Sequence, residues 1–286
     1  MPASSRRSFL TQTAALITAS KLVSGKAALT ANNLGVELYT VRNVITKDPT
    51  GVLNAIQQIG YRTVEVNYGN MDQIWSALKA TPLKPVSIHL DNNAMDASRI
   101  DTVLGDLAQR GFQYVVPPSY QIAQGGADGV KRIAEQMNKT AEQAKSHGLI
   151  FAYHTHAHDF TPINGTPALH LFMDAVQKDL VFLELDIFWV SVAGHNPADV
   201  IKKYSGRVPM LHLKDKAPGV PVQFNEKVPP TAFKEVGSGT IDIAASLSAA
   251  ATAGVRHYFV EQDQTPGDPI ASLRQSFQYL SGHFSS

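Results

Sequence analysis

The hydrophobic residues of this chain change their spacing in a regular rhythm. Short runs of β-branched and aromatic residues alternate with longer segments whose apolar positions recur at helical spacing. We predict eight strands, at Gly35–Tyr39, Thr63–Asn67, Val86–His89, Tyr114–Val116, Ile150–His154, Val181–Asp186, Val208–Leu213 and Tyr258–Glu261. The segments predicted to be helices are 50–59, 71–80, 97–110, 128–147, 166–177, 197–204, 241–254 and 268–282.

Residues with strong preferences for helix ends support these boundaries. Asp48 and Asn196 are each followed by a proline, which places a capping side chain and a fixed backbone angle at a helix start. Gly60, Gly111 and Gly254 each follow a predicted helix and precede a strand. Strands that alternate with helices pair in parallel, so eight such units predict a closed α/β barrel. We therefore predict a single-domain (β/α)8 or TIM barrel over residues 33–286, with an open doubly wound sheet as the alternative.

The composition excludes several functional classes. The 286 residues include 25 Lys and Arg against 24 Asp and Glu, and the resulting net charge of +1 provides no basic field for nucleic acid. The chain contains no cysteine, which excludes disulfides, thiolate metal ligands and a cysteine nucleophile. We therefore expect a small-molecule partner and no nucleic acid, and a homo-oligomer stays open.

The first 32 residues are predicted to be an export signal and linker. Arg6 and Arg7 precede Phe9, Leu10 and the weakly apolar stretch 14–19, an arrangement that resembles a twin-arginine signal for bacterial export. We therefore expect a periplasmic protein. The alternative is a frayed amphipathic N-terminus. The apolar stretch is much shorter than the roughly 20 residues of a membrane span, so no stable span is expected.

Charged and imidazole side chains stand at the ends of several predicted strands, where a buried barrel strand should be apolar. Because the carboxyl ends of all barrel strands open on the same mouth, these side chains should converge on one site. Imidazoles and carboxylates without cysteine are suited to one divalent ion, namely Mn²⁺, Mg²⁺, Co²⁺ or Zn²⁺. The residues concerned are Glu65, His89, His154, His156, Glu184, Asp186, His212 and Glu261.

Each of these residues also has a structural interpretation. A buried carboxylate such as Glu184 can be a salt-bridge partner, and Glu65 can be a structural hydrogen-bonding group as readily as a substrate contact. His154 and His156, with His158 beyond them, alternate along a strand, which favours metal or substrate binding over a core role. Four further histidines are assigned to surface or helix positions: His147, His170, His257 and His283.

Lys214 and the long segment 215–240 complete the predicted mouth. Lys214 shares a strand face with His212, so it could bind a substrate oxygen or, with a lowered pKa, act as a base. The alternative is a salt bridge to Asp215 or Asp263. The segment 215–240 holds four prolines and ends in a Gly-Ser-Gly turn. A loop after the seventh strand of a barrel lies on the face where substrate binds.

Seven motifs spread along the predicted barrel carry a family resemblance. They are Gly35–Arg42, Gly60–Glu65, Tyr153–His156, Leu183–Trp189, Leu211–Asp215, Val236–Asp242 and Val260–Asp263. Through these motifs the chain resembles the sugar phosphate isomerase/epimerase family of xylose-isomerase-like TIM barrels. That family includes isomerases, epimerases, dehydratases and endonucleases, so the resemblance implies the fold more sharply than the reaction.

The resemblance implies one divalent metal ion held by residues from strands five to eight. Asp186, His212 and Glu261 match the Asp, His and Glu of the family pattern. The fifth-strand position departs from it, because the family's epimerases carry a glutamate where this chain has His154. The implied ligand set is therefore His154, Asp186, His212 and Glu261.

The same departure bears on the reaction. The family's epimerases move a proton with two glutamates, and only Glu261 remains of that pair. Two-base epimerisation would need Lys214, His156 or Glu184 as a substitute. The implied catalytic residues are thus Glu261, Lys214 and His156. The expected substrate contacts are Glu65, His89, Glu184 and Trp189.

Three functions are compatible with these residues. The first is a metal-dependent isomerase or epimerase that acts through an enediolate on a non-phosphorylated sugar or keto-sugar, with Glu261 as base. The alternative is a lyase, because the Tyr-His-x-His motif is similar to family members that eliminate water or an aglycone from keto-sugars, glycosides or keto-inositols, for which one base suffices. A non-catalytic sugar-binding protein is the third. No glycine-rich phosphate loop is evident beyond the turn at 237–239.

Overall fold

Eight parallel strands close into a barrel in the computed structural model, which describes residues 28–285. The strands are β1 (Leu34–Glu37), β2 (Thr63–Asn67), β3 (Lys84–His89), β4 (Tyr114–Val116), β5 (Ile150–His154), β6 (Val181–Asp186), β7 (Met210–Leu213) and β8 (His257–Val260). Each strand pairs with its sequence neighbours, and β1 closes the ring by pairing with β8. The predicted TIM barrel in one domain is confirmed. The predicted export signal at Arg6 and Arg7 lies outside the described residues and stays a prediction.

Helices follow the strands and cover the outside of the barrel. They are α1 (Arg42–Ile45), α2 (Pro49–Ile59), α3 (Met71–Lys79), α4 (Ile100–Arg110), α5 (Gly126–Ser146), α6 (Ala168–Ala175), α7 (Ile187–Val192), α8 (Pro197–Lys203), α9 (Ile243–Ala253) and α10 (Pro269–Ser281). The short helices α1 and α7 were not predicted, because four to six residues are too few to display a helical period. Within residues 28–285 no helix has the length and apolarity that crossing a membrane would need.

The end of β1 differs from the prediction in a way that matters for the mouth of the barrel. The strand stops at Glu37 instead of Tyr39, since residues 38–41 form a 3₁₀ turn. Glu37 Oε1 accepts a hydrogen bond from the backbone nitrogen of Tyr39 at 3.1 Å and so caps that turn. Glu37 is therefore the terminal residue of its strand and belongs to the ring of strand ends.

Two hydrophobic cores are separated by the barrel wall. The larger core lies between the strands and the surrounding helices. The smaller one fills the lower barrel interior, and we call it the apolar layer: Val86, Tyr114, Val116, Ala152, Phe182, Met210 and Phe259. Charged and imidazole groups lie nearer the carboxyl ends of the strands, and we call them the polar layer: Glu65, His89, His154, Glu184, Asp186, His212, Lys214 and Glu261.

One histidine assignment is wrong. His257 was assigned to a surface or helix position, but it lies at the start of β8 and points into the barrel beside the apolar layer. Its ring stacks on Phe259 with centroids 6.4 Å apart and meets Tyr114 edge-on at 5.6 Å. Burial lowers the pKa of His257 to about 4, so the ring is neutral and packs as an aromatic group.

Candidate metal centre and substrate cavity

Four polar side chains meet at the carboxyl ends of neighbouring strands. His154 ends β5, Asp186 ends β6, His212 lies on β7, and Glu261 directly follows β8. Each offers one ligand atom, these atoms all lie within 4.8 Å of one another, and all four residues are buried. Two imidazole nitrogens and two carboxylate oxygens form a donor set that suits a divalent transition metal. The predicted ligands are thus brought together, and they fit such an ion.

His154 offers one ring nitrogen to the site and is held by the other. Its Nε2 lies 3.7 Å from Asp186 Oδ2, and its Nδ1 lies 3.0 Å from Glu184 Oε2. Burial, together with the nearby His212, lowers the pKa of His154 well below its usual value. The ring is therefore neutral, which is the form that binds a metal ion.

His212 has a carboxylate at each ring nitrogen. Its Nδ1 lies 2.7 Å from Glu261 Oε2, and its Nε2 lies 2.6 Å from Glu65 Oε2. Burial opposes protonation of this ring, but the carboxylates of Glu184 and Glu65 outweigh it and raise the pKa of His212 well above its usual value. Binding of a metal ion at Nδ1 would therefore release a proton.

The structure corrects the predicted role of Glu65 and Glu184. Both were expected to contact substrate, but both are fully buried and neither lines the cavity above the site. They hold the outer nitrogens of His212 and His154 instead. Carboxylates in this position fix the tautomer and orientation of metal-binding histidines. Their place on barrel strands was informative, while their depth in the barrel decided the role.

A second possible ligand set has His89 and Glu184 in place of Asp186 and Glu261. His89, His154, Glu184 and His212 also place ligand atoms within 4.8 Å. However, this set contains only one carboxylate to balance a divalent charge, and its Oε2 already lies 2.8 Å from His89 Nε2 and 3.0 Å from His154 Nδ1. The set with Asp186 and Glu261 is the better metal site, and His89 lines the cavity as a predicted substrate contact.

Lys214 lies among three carboxylates at the edge of the ligand set. Its Nζ is 2.9 Å from Asp186 Oδ2, 2.7 Å from Glu261 Oε2 and 2.8 Å from Asp263 Oδ1. Burial disfavours the ammonium form, but these carboxylates overcome that cost and raise the pKa of Lys214 well above its usual value. Lys214 therefore lacks the lowered pKa that a catalytic base would need. Its ammonium group is a fixed positive charge 5.7 Å from the centre of the Trp189 ring.

Two side chains that line the cavity could accept a proton from substrate. Glu261 is held in its ionised form, because Lys214 and His212 outweigh its burial and lower its pKa well below the usual value. His156 follows β5, and its Nδ1 is buried without a hydrogen-bond partner among the described residues. Burial lowers the pKa of His156 to about 3, so the ring is neutral. Glu261 and His156, which were both predicted to be catalytic, thus both face the cavity.

His158 lies on a 3₁₀ turn, residues 157–160, and not on the strand that carries His154. Its ring stacks on that of His156 with centroids 5.4 Å apart, but it does not line the cavity. Its Nδ1 lies 2.6 Å from Glu226 Oε1, and its Nε2 lies 2.9 Å from the carbonyl oxygen of Tyr120. Glu226 belongs to the long segment 215–240, so this ion pair fastens that segment over the mouth.

The cavity above the ligand set has a volume of about 500 Å³, which is within the range of small-molecule sites. One wall is polar and includes His89, His156, Lys214 and Glu261. Other lining residues are aromatic or apolar: Tyr39, Tyr68, Leu90, Trp189, Val228, Pro230 and Phe233. Such a mixture suits a polar ring that carries a less polar substituent.

The glycine turn at 237–239 binds a carboxylate of the chain itself. Asp215 Oδ2 accepts hydrogen bonds from the backbone nitrogens of Gly237 and Gly239, at 3.0 and 2.9 Å, and Oδ1 accepts one from Ile241 at 3.1 Å. A Cβ at Gly239 would lie 2.3 Å from Asp215 Oδ1, so glycine is required there. Because Asp215 already uses these amides, the turn offers no site for a substrate phosphate.

Sequence reasoning missed several polar cavity residues, among them Glu37, Asp263, Asn67 and Glu226. Asp263 was considered only as a salt-bridge partner, while Asn67 and Glu226 were not considered. Asp263 and Asn67 carry a weak signal, since they stand at or just beyond strand ends. Glu226 carries none, because its place depends on how a 26-residue segment folds back over the barrel.

A family profile agrees with this fold and site. The profile of the xylose isomerase-like TIM barrel family matches residues 106–282, which is more than half of the chain. The protein therefore belongs to the xylose isomerase-like TIM barrel family. Within it, the chain is similar to an inosose dehydratase of Clostridium botulinum (strain Alaska E43 / Type E3), with 27% identity over 158 residues, or 52% of each chain. The chain thus spans about half the length of the curated relatives it matches.

Solved structures share the fold across a greater length. A sugar phosphate isomerase/epimerase from Parabacteroides distasonis superposes with a TM-score of 0.70 at 21% identity, over 89% of this chain and 95% of the other. The structure described as IOLI protein with a zinc atom gives 0.68 at 18% identity, over 89% and 100%. These likenesses support the barrel.

Proposed function

We propose that this protein is a divalent-metal-dependent lyase that eliminates water or an alcohol from a keto-sugar, a keto-glycoside or a keto-cyclitol. The observation that carries the proposal is the neutral imidazole of His154 at the fifth-strand ligand position. With an imidazole there, no glutamate on β5 can face Glu261 across the substrate for a two-glutamate epimerisation. Elimination needs only one base for the proton beside the carbonyl group. The dehydratase names of the curated relatives support the same preference.

The ligand set determines how a substrate would be oriented. When bound by His154, Asp186, His212 and Glu261, the ion supplies Lewis-acid polarisation of a substrate carbonyl group. The ammonium of Lys214 is fixed beside this position and can hold a further substrate oxygen. Loss of the neighbouring proton to Glu261 or His156 gives an enolate, and departure of the β-substituent then gives the unsaturated product.

The charge of the cavity supports a substrate without phosphate. Glu37, Glu261 and Asp263 line its walls, and the amides of the glycine turn are used by Asp215. A phosphate dianion would meet the carboxylates of Glu261 and Asp263 in this lining, and no free backbone amides of the glycine turn would be there to bind it. The hydroxyl and carbonyl groups of a sugar, in contrast, can form hydrogen bonds with every side chain of the polar wall.

The direct test is product analysis with metal-loaded protein. We expect incubation with 3-keto-glucosides and with 2-keto-myo-inositol to give a product lighter by one water or one alcohol, detected by mass spectrometry, and EDTA to stop its formation. An isomer of equal mass would instead establish an isomerase or epimerase. Binding of these compounds without turnover, unaffected by EDTA, would establish a sugar-binding protein.

The second candidate is an isomerase or epimerase, and one observation favours it. Glu261 and His156 both line the cavity and come from β8 and β5, so two groups could exchange a proton with one carbon. Replacing each by glutamine, and comparing the variants at equal metal occupancy because Glu261 is also a ligand, separates the candidates. In an epimerase both E261Q and H156Q should lose turnover, whereas in a one-base lyase only one of them should lose the roughly 10²–10⁴-fold of a general base.

A further inference from the structure

Glu37 is a buried acid of the cavity that the reaction described so far does not use. It ends β1, is only 1% exposed, and lines the cavity wall. The pairing of Val36 with Val260 places it beside Glu261 on the neighbouring strand. It is outside the metal ligand set. A carboxyl group at this depth normally has partners for both oxygens.

Only one oxygen of Glu37 has such partners. Oε1 accepts hydrogen bonds from the side-chain amide of Asn67 and from the backbone nitrogen of Tyr39. Oε2 is buried and has no hydrogen-bond partner among the described residues. Capping of the 3₁₀ turn needs Oε1 alone, so the turn does not account for the second oxygen. An unpartnered buried oxygen in a cavity wall provides a hydrogen-bonding position that a substrate group can fill.

We propose that Glu37 is the acid that protonates the leaving-group oxygen during elimination. This inference rests on the proposed lyase activity. In the step, the C–H electron pair forms the new C=C bond, and its proton goes to the base. The C–O bond breaks with its electron pair on oxygen, and that oxygen takes the proton from Glu37. The products are an unsaturated ketone and an alcohol or water, and solvent returns the proton to Glu37.

The surroundings of Glu37 agree with this role. Burial and the adjacent carboxylate of Glu65 raise the pKa of Glu37 well above its usual value. A carboxyl group that keeps its proton can donate a hydrogen bond to an ether or hydroxyl oxygen. Asn67 and the Tyr39 nitrogen both donate to Oε1, so the proton resides on Oε2, the oxygen without a partner.

The test compares leaving groups of different basicity. The probes are methyl 3-keto-β-glucoside, whose alkoxide needs a proton to depart, and 4-nitrophenyl 3-keto-β-glucoside, whose phenolate does not. For E37Q we expect elimination of methanol to fall about 10²–10³-fold and elimination of nitrophenol less than 10-fold. Exchange of the C2 proton with D₂O should stay within about threefold, because enolate formation does not use Glu37.

Matched variants keep the test decisive. E37Q retains an oxygen for Asn67 and Tyr39, and E37D retains the acid and should recover part of the methanol elimination. D242N makes the same chemical change at a helix cap away from the cavity, and should leave every rate unchanged. Thermal unfolding of each variant checks the fold.

Two results separate the failure of this inference from the failure of the proposed function. Equal losses for both leaving groups, or a parallel loss of proton exchange in E37Q, would overturn the role of Glu37 and leave the lyase intact. Proton exchange without elimination in the unsubstituted protein would overturn the lyase itself, and the role of Glu37 with it.

Discussion

The apolar layer and the polar layer occupy the same strand faces of one barrel, only two residues apart. Met210 precedes His212 on β7, and Phe182 precedes Glu184 on β6, a step of roughly 7 Å along an extended strand. Below this step the interior is closely packed and fixed. Above it, carboxylates and imidazoles pair with one another at distances of 2.6–3.0 Å. A closely packed apolar layer thus supports a layer in which the side chains are held by pairing of opposite charges.

The two layers also differ in what stabilises them. The apolar layer gains free energy from burial, whereas burial of charged groups costs free energy unless each charge is paired. Lys214 illustrates the second case, because it balances Asp186, Glu261 and Asp263. We therefore expect substitutions in the apolar layer to change folding stability and substitutions in the polar layer to change ligand binding.

The largest expected effect is in the apolar layer. Phe259 is fully buried, so F259A should lower the free energy of unfolding by about 3–5 kcal/mol, through lost burial and the cavity left behind. Urea denaturation of the metal-free protein measures it. V222A, at a side chain that is 65% exposed, is the control and should change stability by less than about 0.5 kcal/mol. A loss below 1 kcal/mol in F259A would show that the apolar layer is not the support of the barrel.

The next effect is in the ligand set. D186N keeps an oxygen for the Phe188 and Trp189 nitrogens that Asp186 caps, but it removes the carboxylate charge. We expect Zn²⁺ affinity to fall by about 100-fold or more, or at least about 2.7 kcal/mol, with little change in the unfolding of the metal-free protein. Isothermal titration calorimetry measures the affinity, with D48N at an exposed helix cap as control. Unchanged Zn²⁺ binding by D186N would exclude Asp186 as a ligand.

A smaller effect is expected from the carboxylates behind the histidines. E184Q preserves the shape of the side chain but weakens its hold on His154 and His89. Outer contacts of this kind contribute about 10–100-fold to metal affinity, so E184Q should lie between the unsubstituted protein and D186N. The same titrations report the order. Should E184Q bind Zn²⁺ more weakly than D186N, Glu184 would be a ligand and the set with His89 would be the metal site.

The smallest effect concerns the ion pair that fastens the 215–240 segment. Burial disfavours the protonated form of His158. The hydrogen bond to Glu226 and the nearby carboxylate of Asp159 outweigh this effect and raise the pKa of His158 to about 9. Burial favours the neutral form of Glu226, but its hydrogen bond with His158 outweighs this and lowers the pKa of Glu226. The histidine contribution is therefore complete below its unfolded pKa of about 6.5 and is lost as pH rises through about 9. The glutamate contribution is lost at acid pH, as Glu226 becomes protonated.

Hydrogen exchange of the segment tests this window. We expect E226Q to exchange about fivefold faster than the unsubstituted protein near pH 6.5, equivalent to about 1 kcal/mol, and the difference to vanish near pH 10. Burial raises the pKa of Asp159 to about 7, but this residue titrates in both proteins, so their difference isolates the pair. A difference that persists at pH 10 would mean that Glu226 acts through packing and not through charge.

Much of the site was predictable because a parallel barrel converts sequence position into spatial position. Once β5 to β8 were identified, His154, Asp186, His212 and Glu261 had to meet at one mouth, since each stands at or just past a strand end. The same logic placed the 215–240 segment over the cavity. It failed for Glu37, because the strand was predicted to continue to Tyr39 and the glutamate then stood in its middle.

Depth and pairing were decided only by the tertiary structure. The sequence by itself determined the alternation of strands and helices, the barrel and the ring of polar strand ends, because these depend on local periodicity and on the common direction of the strands. It could not distinguish Glu65 and Glu184, which hold histidines, from Glu37 and Glu261, which face the cavity. That difference depends on strand register and on charge pairing between residues up to 147 positions apart, as for His212 and Glu65. The raised pKa of Lys214 has the same origin, since its carboxylate partners come from two distant parts of the chain, at Asp186 and at Glu261 with Asp263.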